Sequence, residues 1–372
     1  MTLTRFVHPR TARRALAAST VALACVGASL AVATGATAAP SARVIPPTHI
    51  NADEVHAINY GGSVVSVDEH PFVQDSYRTT NSGVRVPLAA QSPGAFADVE
   101  ALNNGNFAAG EVSPAAPADG PTLPARWSPS GVLTVLGHAN SGDPANPIDY
   151  LASSINSPGT VVGSASYPAT MPHSLQRALV WNLAGHASAL PSSGRAARAD
   201  AINDAGVIAG TIGAAGERYV ITGRAVRWSA AHHLTVLPRL SGDHQSSATA
   251  INRYDEIVGQ SGTSAVAWLP TGRIVRLASL AGWQSSIANA VNSHGVVVGQ
   301  AVRADGARVA VYWPDPRHVI ELGNFSPADP SQEEYLDSSA TAVSDTGVIA
   351  GWSIYHNLIG EYAQSDGAIW KP

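Results

Sequence analysis

Two tryptophans, Trp283 and Trp352, and four tyrosines, Tyr150, Tyr167, Tyr355 and Tyr362, fall outside a regular tryptophan series that recurs along the chain. Rings of this kind on a protein rim can stack on the apolar C–H faces of sugars. Acids gather near them: Asp143 and Asp149 in one stretch, Glu333, Glu334 and Asp337 in another, and Asp243 alone. Two carboxyl groups about 5–10 Å apart can serve as acid and base on a glycoside. A denser oxygen set can hold calcium. Spacing alone brings no two of these acids together, so solvated loop charge is the simpler reading. The ligand-binding candidates are Trp283, Trp352, Tyr355, Tyr150, Asp143, Asp149, Glu333 and Glu334.

Other chemistry is thinly represented. The sequence has no His-Glu-x-x-His, no Gly-x-Ser-x-Gly and no Gly-x-x-x-x-Gly-Lys. Its 13 histidines are dispersed, and in the adjacent pair His232-His233 the side chains point apart on an extended segment. A single cysteine, Cys25, excludes a cysteine-based zinc site and a disulfide framework. The expectation is therefore no catalytic residue, no metal ligand and no cofactor.

What positions the candidates is a repeat. The segment Ala201-Ile202-Asn203-Asp204-Ala205-Gly206-Val207-Ile208-Ala209-Gly210 has counterparts beginning at Ala57, Ala101, Ser154, Ala250, Ala290 and Ala342. The third position is Asn59, Asn103, Asn156, Asn203, Asn252 and Asn292, and Ser344 in the last copy. The sixth position is Gly62, Asn106, Gly159, Gly206, Asp255, Gly295 and Gly347. Gly, Asn and Asp are the residues that best tolerate positive φ. Each segment thus reads as a hairpin turn of type I with a glycine bulge. Pro158 fits the third turn position poorly, so that copy is expected to use another geometry.

A second register marks the rest of the unit. Trp127, Trp181, Trp228, Trp268 and Trp313 each precede by nine residues Leu136, Leu190, Leu237, Leu277 and Leu322. Thr79 replaces the tryptophan in the first copy, and Trp370 ends the last one almost at the C-terminus. Four short strands per unit, with both faces often apolar, suit sheets packed on two sides. Seven such units, about 40–50 residues apart, describe an all-β, seven-bladed β-propeller with four-stranded blades. The last copy lacks its fourth strand, and counting back from Ala57 by the repeat spacing lands in Arg43-Val44-Ile45. An N-terminal strand there is expected to complete the last blade and hide its edge.

On the Ala-Ile-Asn-x-x-Gly segments and the Ala-x-x-Trp or Ala-x-Trp ends, such as Arg177-Ala178-Leu179-Val180-Trp181, the chain resembles the bacterial extracellular HAF-repeat family. The likeness covers residues 50 to 370, although Arg-Ala-Leu, Arg-Ala-Val and Ser-Ala-Val stand where that family has His-Ala-Phe. The resemblance implies export and a repeat β fold. It implies no activity and carries over no site residue.

Composition bounds the function. Lys+Arg 22 against Asp+Glu 27 gives −5, and only 13% of residues are charged, about half the usual ~25%. With no basic stripe, nucleic-acid binding is excluded. Arg5, Arg10, Arg13 and Arg14 precede an apolar run from Ala15 to Val32, and Ala36-Thr37-Ala38 reads as a signal-peptidase site. Arg13-Arg14 also resembles a twin-arginine signal, and the run is near the ~20 residues of a retained anchor. Residues 1–38 are thus expected to be a signal peptide and 39–372 one propeller domain. Cleavage removes four Arg and Cys25, leaving 18 basic against 27 acidic residues, a net of −9. The product is secreted, a monomer, and off the membrane.

Loop lengths place the function. In an up-and-down blade with strands a to d, the a–b and c–d turns share one rim and the b–c and d–a connections share the other. Variation falls in b–c segments such as 111–124 and 352–366 and in d–a segments such as 137–150 and 323–338. Loops on a rigid scaffold are the usual home of binding. The expected function is a non-catalytic propeller that binds a glycan, cell-wall polymer or protein through this rim. The alternatives are a polysaccharide hydrolase or lyase using rim carboxylates, and a structural surface protein without a ligand.

Overall fold

The structure, a computed structural model, describes residues 48–49, 54–70, 73–90, 95–113, 122–138, 149–167, 176–215, 221–324, 335–356 and 363–372. These form seven antiparallel four-stranded sheets. Blades 1 to 6 span Glu54–Pro87, Ala97–Val135, Asp149–Ala189, Ala196–Val236, Ser246–Arg276 and Trp283–Glu321. Blade 7 takes three strands from Tyr335–Trp370 and its fourth from Thr48–His49. The first strands of all seven blades touch one another in a closed ring, from blade 1 round to blade 7 and back. Strand a is therefore innermost, and the molecule is a seven-bladed β-propeller.

The repeat motif makes the a–b turn. In every copy five residues separate strand a from strand b, as between Ile202 and Ile208. Asn203 N donates to Val207 O at 3.0 Å and Gly206 N to Asn203 O at 3.0 Å, with Gly206 at φ +80°. The copy with Pro158 departs from expectation by keeping this geometry: Gly159 N donates to Asn156 O at 2.9 Å and Asn156 N to Thr160 O at 3.1 Å. Its turn is braced from the next blade, where Asp204 accepts both Ser157 N at 2.7 Å and Ser157 Oγ at 2.9 Å.

Tryptophan and leucine turn out to be two halves of one joint. Trp127, Trp181, Trp228, Trp268, Trp313 and Trp370 are all buried. Each indole Nε1 donates, over 2.7–3.0 Å, to the carbonyl of Ala89, Gly137, Pro191, Pro238, Ala278 or Gly323. Every acceptor directly follows the leucine of the preceding blade, Leu88, Leu136, Leu190, Leu237, Leu277 or Leu322, itself buried. The joint fills the gap between blades and satisfies a buried indole N–H.

The ring closes as expected but with a later segment. Thr48 pairs with Ile369 and His49 with Ala368, on the strand Ala363–Trp370. Residues 43–45, expected to do this, lie outside the described residues. Counting back by repeat length carries an error of a few residues wherever the d–a connection varies.

Candidate functional site

The ring axis is built by strand a, and strand a carries a feature the sequence pattern conceals. In all seven blades its pairing with strand b shifts by one residue, between Val55/Ala57, Val99/Ala101, Ala152/Ser154, Ala199/Ala201, Ala248/Ala250, Ala288/Ala290 and Ala340/Ala342. This is a β-bulge just before each repeat motif. It presses the carbonyl of Arg198 onto strand b, where a Cβ on Gly210 would meet it at 2.0 Å. The glycine ending the Val-Ile-Ala-Gly run answers to that close approach.

Two sets of hydrogen bonds link neighbouring blades around the axis, neither running the full circle among the bonds described. In the first, the motif asparagine of each blade donates Nδ2 to the backbone carbonyl of the equivalent residue in the next. Asn59, Asn103, Asn156, Asn203, Asn252 and Asn292 pass the bond in turn, over 2.8–3.2 Å, ending on Ser344 O. The same asparagines use Oδ1 to accept an N–H of their own turn, as Asn203 does from Val207 N at 3.0 Å. Both ends of the amide are thus committed. In the second belt the bulge residue donates to the carbonyl before the next bulge: Thr249 to Ala288, Asn289 to Ala340 and Thr341 to Val55, over 2.6–2.9 Å. His56 Nδ1 makes the same bond to Val99 O at 2.8 Å.

A cavity of about 180 Å³ sits on the axis at the face of the a–b turns. Its wall is the aliphatic second position of each motif, Ile58, Leu102, Ile155, Ile202, Ile251, Val291 and Val343. Below lies the asparagine belt, and at the mouth stand Tyr60, Asn104, Ser157, Asp204 and Arg253. Burial, then Asp345 and Asp204, raise the Tyr60 phenol above its ordinary range, so its proton stays on. The belt amides line the cavity floor and bond from blade to blade. This face also carries six exposed large apolar residues: Tyr60, Val84, Phe107, Val132, Leu183 and Tyr254.

The innermost strands carry charge just before they reach this wall. Bulge positions hold His56 and Glu100 in blades 1 and 2 and Asp200 in blade 4; Glu54, Asp98 and Arg198 lie two residues before these. Burial pushes the Asp200 carboxyl up to about 6 against the opposing pull of Arg198, whose Nε is 2.5 Å from Asp200 Oδ1. His56, Asp98 and Glu100 bring ligand-type atoms within 4.8 Å of one another. His56 Nε2 is also 3.3 Å from Glu54 Oε2. An imidazole among carboxylates can hold a proton or a cation.

The residues singled out by type scatter more widely. Trp283 opens strand a of blade 6 at the b–c/d–a face, half-buried, with Nε1 3.2 Å from Glu321 Oε1. Trp352 is half-buried in strand b of blade 7, between Ser339 and Gly367. Tyr355 lies on that strand, paired with Leu336 and Gln364. Tyr150 is 1% exposed, bonded through its hydroxyl to His138 Nδ1 at 2.9 Å and packed on Trp181; burial, then Tyr167, push its phenol up to about 12. Asp149 is 4% exposed, with Thr122 Oγ1 at 3.3 Å. Both residues are buried. Asp337 accepts Arg308 N at 2.8 Å, and Asp243 accepts Ser261 Oγ at 2.7 Å. Asp143, Glu333, Glu334 and Tyr362 lie outside the described residues.

Compared with known proteins, the chain matches no family model and no curated protein. Solved structures do resemble it. Virginiamycin B lyase from Staphylococcus aureus, in a catalytically inactive form with quinupristin, superposes with a TM-score of 0.50 at 8% identity, covering 88% of this chain and 98% of that one. A streptogramin B lyase gives 0.48 at 10% identity, over 87% and 96%. Puromycin hydrolase gives 0.47 at 17% identity, over 79% of this chain and 48% of that one. The likeness is one of fold.

The His56–Asp98–Glu100 convergence was missed because its members stand 42 and 44 residues apart in sequence, 98−56 and 100−56. A usable signal existed. His56 and Glu100 hold the same position, directly before the repeat alanine, where other copies have Ser153, Thr249, Asn289 and Thr341.

Proposed function

We propose that the protein is an exported, non-catalytic binding propeller of the HAF-repeat kind, which holds a glycan, cell-wall polymer or protein on the face formed by its b–c and d–a connections. The observation that supports this reading is the contrast between its two faces. All seven a–b turns have five intervening residues, as do the c–d turns of blades 1 to 5. On the other face b–c connections run from 2 residues (Ser261 to Ser264) to 10 (Val112 to Leu123), and d–a connections from 4 (His49 to Glu54) to 13 (Val135 to Asp149). Variation concentrated on one face of a rigid ring is how a scaffold presents recognition loops.

The axis agrees with this assignment. Strand a begins at the variable face, with Glu54 first in blade 1 and Asp98 second in blade 2, whereas its other end meets the aliphatic wall and an amide belt that bonds to itself. Trp283, at the start of its strand, is the aromatic best placed to stack on a sugar. Retention of the chain by purified cell wall and by a glycan array tests the reading. Trp283→Ala and Trp352→Ala are expected to weaken retention about tenfold each, the scale of a central aromatic contact. Indifference of both variants removes the aromatic role, and no retention by any wall or glycan preparation removes the reading.

A further inference from the structure

We propose that His56, Asp98 and Glu100, joined by Glu54, form a binding site for a first-row divalent cation of the zinc or manganese type. The site lies between the innermost strands of blades 1 and 2. The first three residues already bring their donor atoms within 4.8 Å of one another.

The histidine is oriented as a ligand. Its Nδ1 lies 2.8 Å from the Val99 carbonyl oxygen, which can only accept, so Nδ1 carries a hydrogen and Nε2 is left to bear either a second proton or the lone pair that a cation takes. A ring N–H held by a backbone carbonyl is the usual outer-shell support of a metal-binding histidine. Nε2 then points at an oxygen of a different kind, Glu54 Oε2 at 3.3 Å. A lone pair facing a carboxylate is repulsive unless a proton or a cation lies between them. Two ligands each about 2.1 Å from a tetrahedral centre sit roughly 3.4 Å apart, close to the separation found. Asp98 Oδ1 is shielded from solvent and accepts no hydrogen bond, although it approaches His56 Nδ1 to 3.9 Å.

The belt does not demand these residues. In blades 5, 6 and 7 the bulge position is a neutral Thr or Asn, and each makes the link to the next blade. Two adjacent copies have instead acquired an imidazole and a carboxylate, with Asp98 added two residues before the second. One imidazole nitrogen with carboxylate oxygens suits zinc or manganese better than calcium, which prefers oxygen alone. Ion binding here is independent of what the variable face recognises, so either proposal can fail without the other.

The test is calorimetric titration of the chelator-treated full chain with zinc chloride, manganese chloride and calcium chloride, beside thermal melts. Uptake of one zinc or manganese ion per chain is expected, with a raised melting temperature. Asp98→Asn and Glu100→Gln keep side-chain shape and should each weaken uptake at least tenfold; His56→Ala should abolish it. His232→Ala/His233→Ala, on the exposed c–d turn of blade 4, should bind as the parent does. If His56→Ala does not fold, the two isosteric variants decide. No uptake, uptake unchanged in Asp98→Asn and Glu100→Gln, or tighter binding of calcium than of both other ions would overturn the proposal.

Discussion

Asn292 donates its Nδ2 to the carbonyl of Ser344 at 3.0 Å, and there the amide belt stops. Ser344 spends its hydroxyl within its own turn, 2.9 Å from Thr346 Oγ1, and passes nothing to Asn59. The seam between blades 7 and 1 is also where Thr79 replaces the joint tryptophan. Among the described residues it keeps the Thr341 to Val55 bond of the second belt, at 2.7 Å.

Ser344→Asn should therefore complete the ring, donating to Asn59 O. One buried hydrogen bond is worth about 1 kcal/mol, so the melting temperature should rise by roughly 1–2 °C in a protein of this size. Asn203→Ala removes both a belt donor and the acceptor of its turn, and should cost about 2–3 kcal/mol. Melts of the two variants beside the parent check both expectations.

Much of this was legible beforehand, for a physical reason. A turn that needs positive φ restricts its sixth residue to Gly, Asn or Asp, and a buried indole beside a leucine leaves a fixed nine-residue spacing. Such local demands repeat with the blade and can be read in one sequence. The motif asparagine was legible only as a turn former. Its second role depends on where the next blade's carbonyl falls, and Ser344 shows that a turn can keep its geometry without it. The burial of Tyr150 and Asp149 was not legible, because an aromatic and an acid beside a long connection look like rim residues until the strand Asp149–Ile155 takes them in.

The tryptophan–leucine joint makes a separate stability claim. Leu277 is 2% exposed and follows strand d of blade 5; Leu277→Ala should cost about 2–5 kcal/mol. Trp268→Phe keeps most of the ring but leaves the Pro238 carbonyl, now at 2.7 Å from Nε1, without its donor. About 1–2 kcal/mol is expected for that loss. Urea unfolding of both variants measures the two terms, and a cost below ~0.5 kcal/mol for Leu277→Ala contradicts the joint.

Asp200 gives the fold a pH dependence. Its carboxyl is raised to about 6 by burial, above the 3.8 of an unperturbed aspartate. A raised carboxyl favours folding fully below the unfolded value and loses that contribution as pH climbs through 6. Asp200→Asn is expected to stabilise the protein at pH 7.5 by on the order of 1–3 kcal/mol, and the gain should vanish near pH 3.5. The asparagine has a precedent in Asn289, which holds the same position in blade 6 and donates to Ala340 O at 2.9 Å. Denaturant melts at the two pH values decide. An equal effect at both would show that Asp200 is not the titrating group.

The face assignment is tested most directly by amide hydrogen exchange of the chain with and without the wall or glycan preparation that retains it. Slowed exchange is expected in the b–c and d–a connections, including 136–148, 322–334 and 357–362, with the five-residue a–b turns unchanged. Protection concentrated on the turns from Asn59 to Ser63 and from Asn252 to Glu256 would contradict the account and move recognition to the axial cavity on the opposite face.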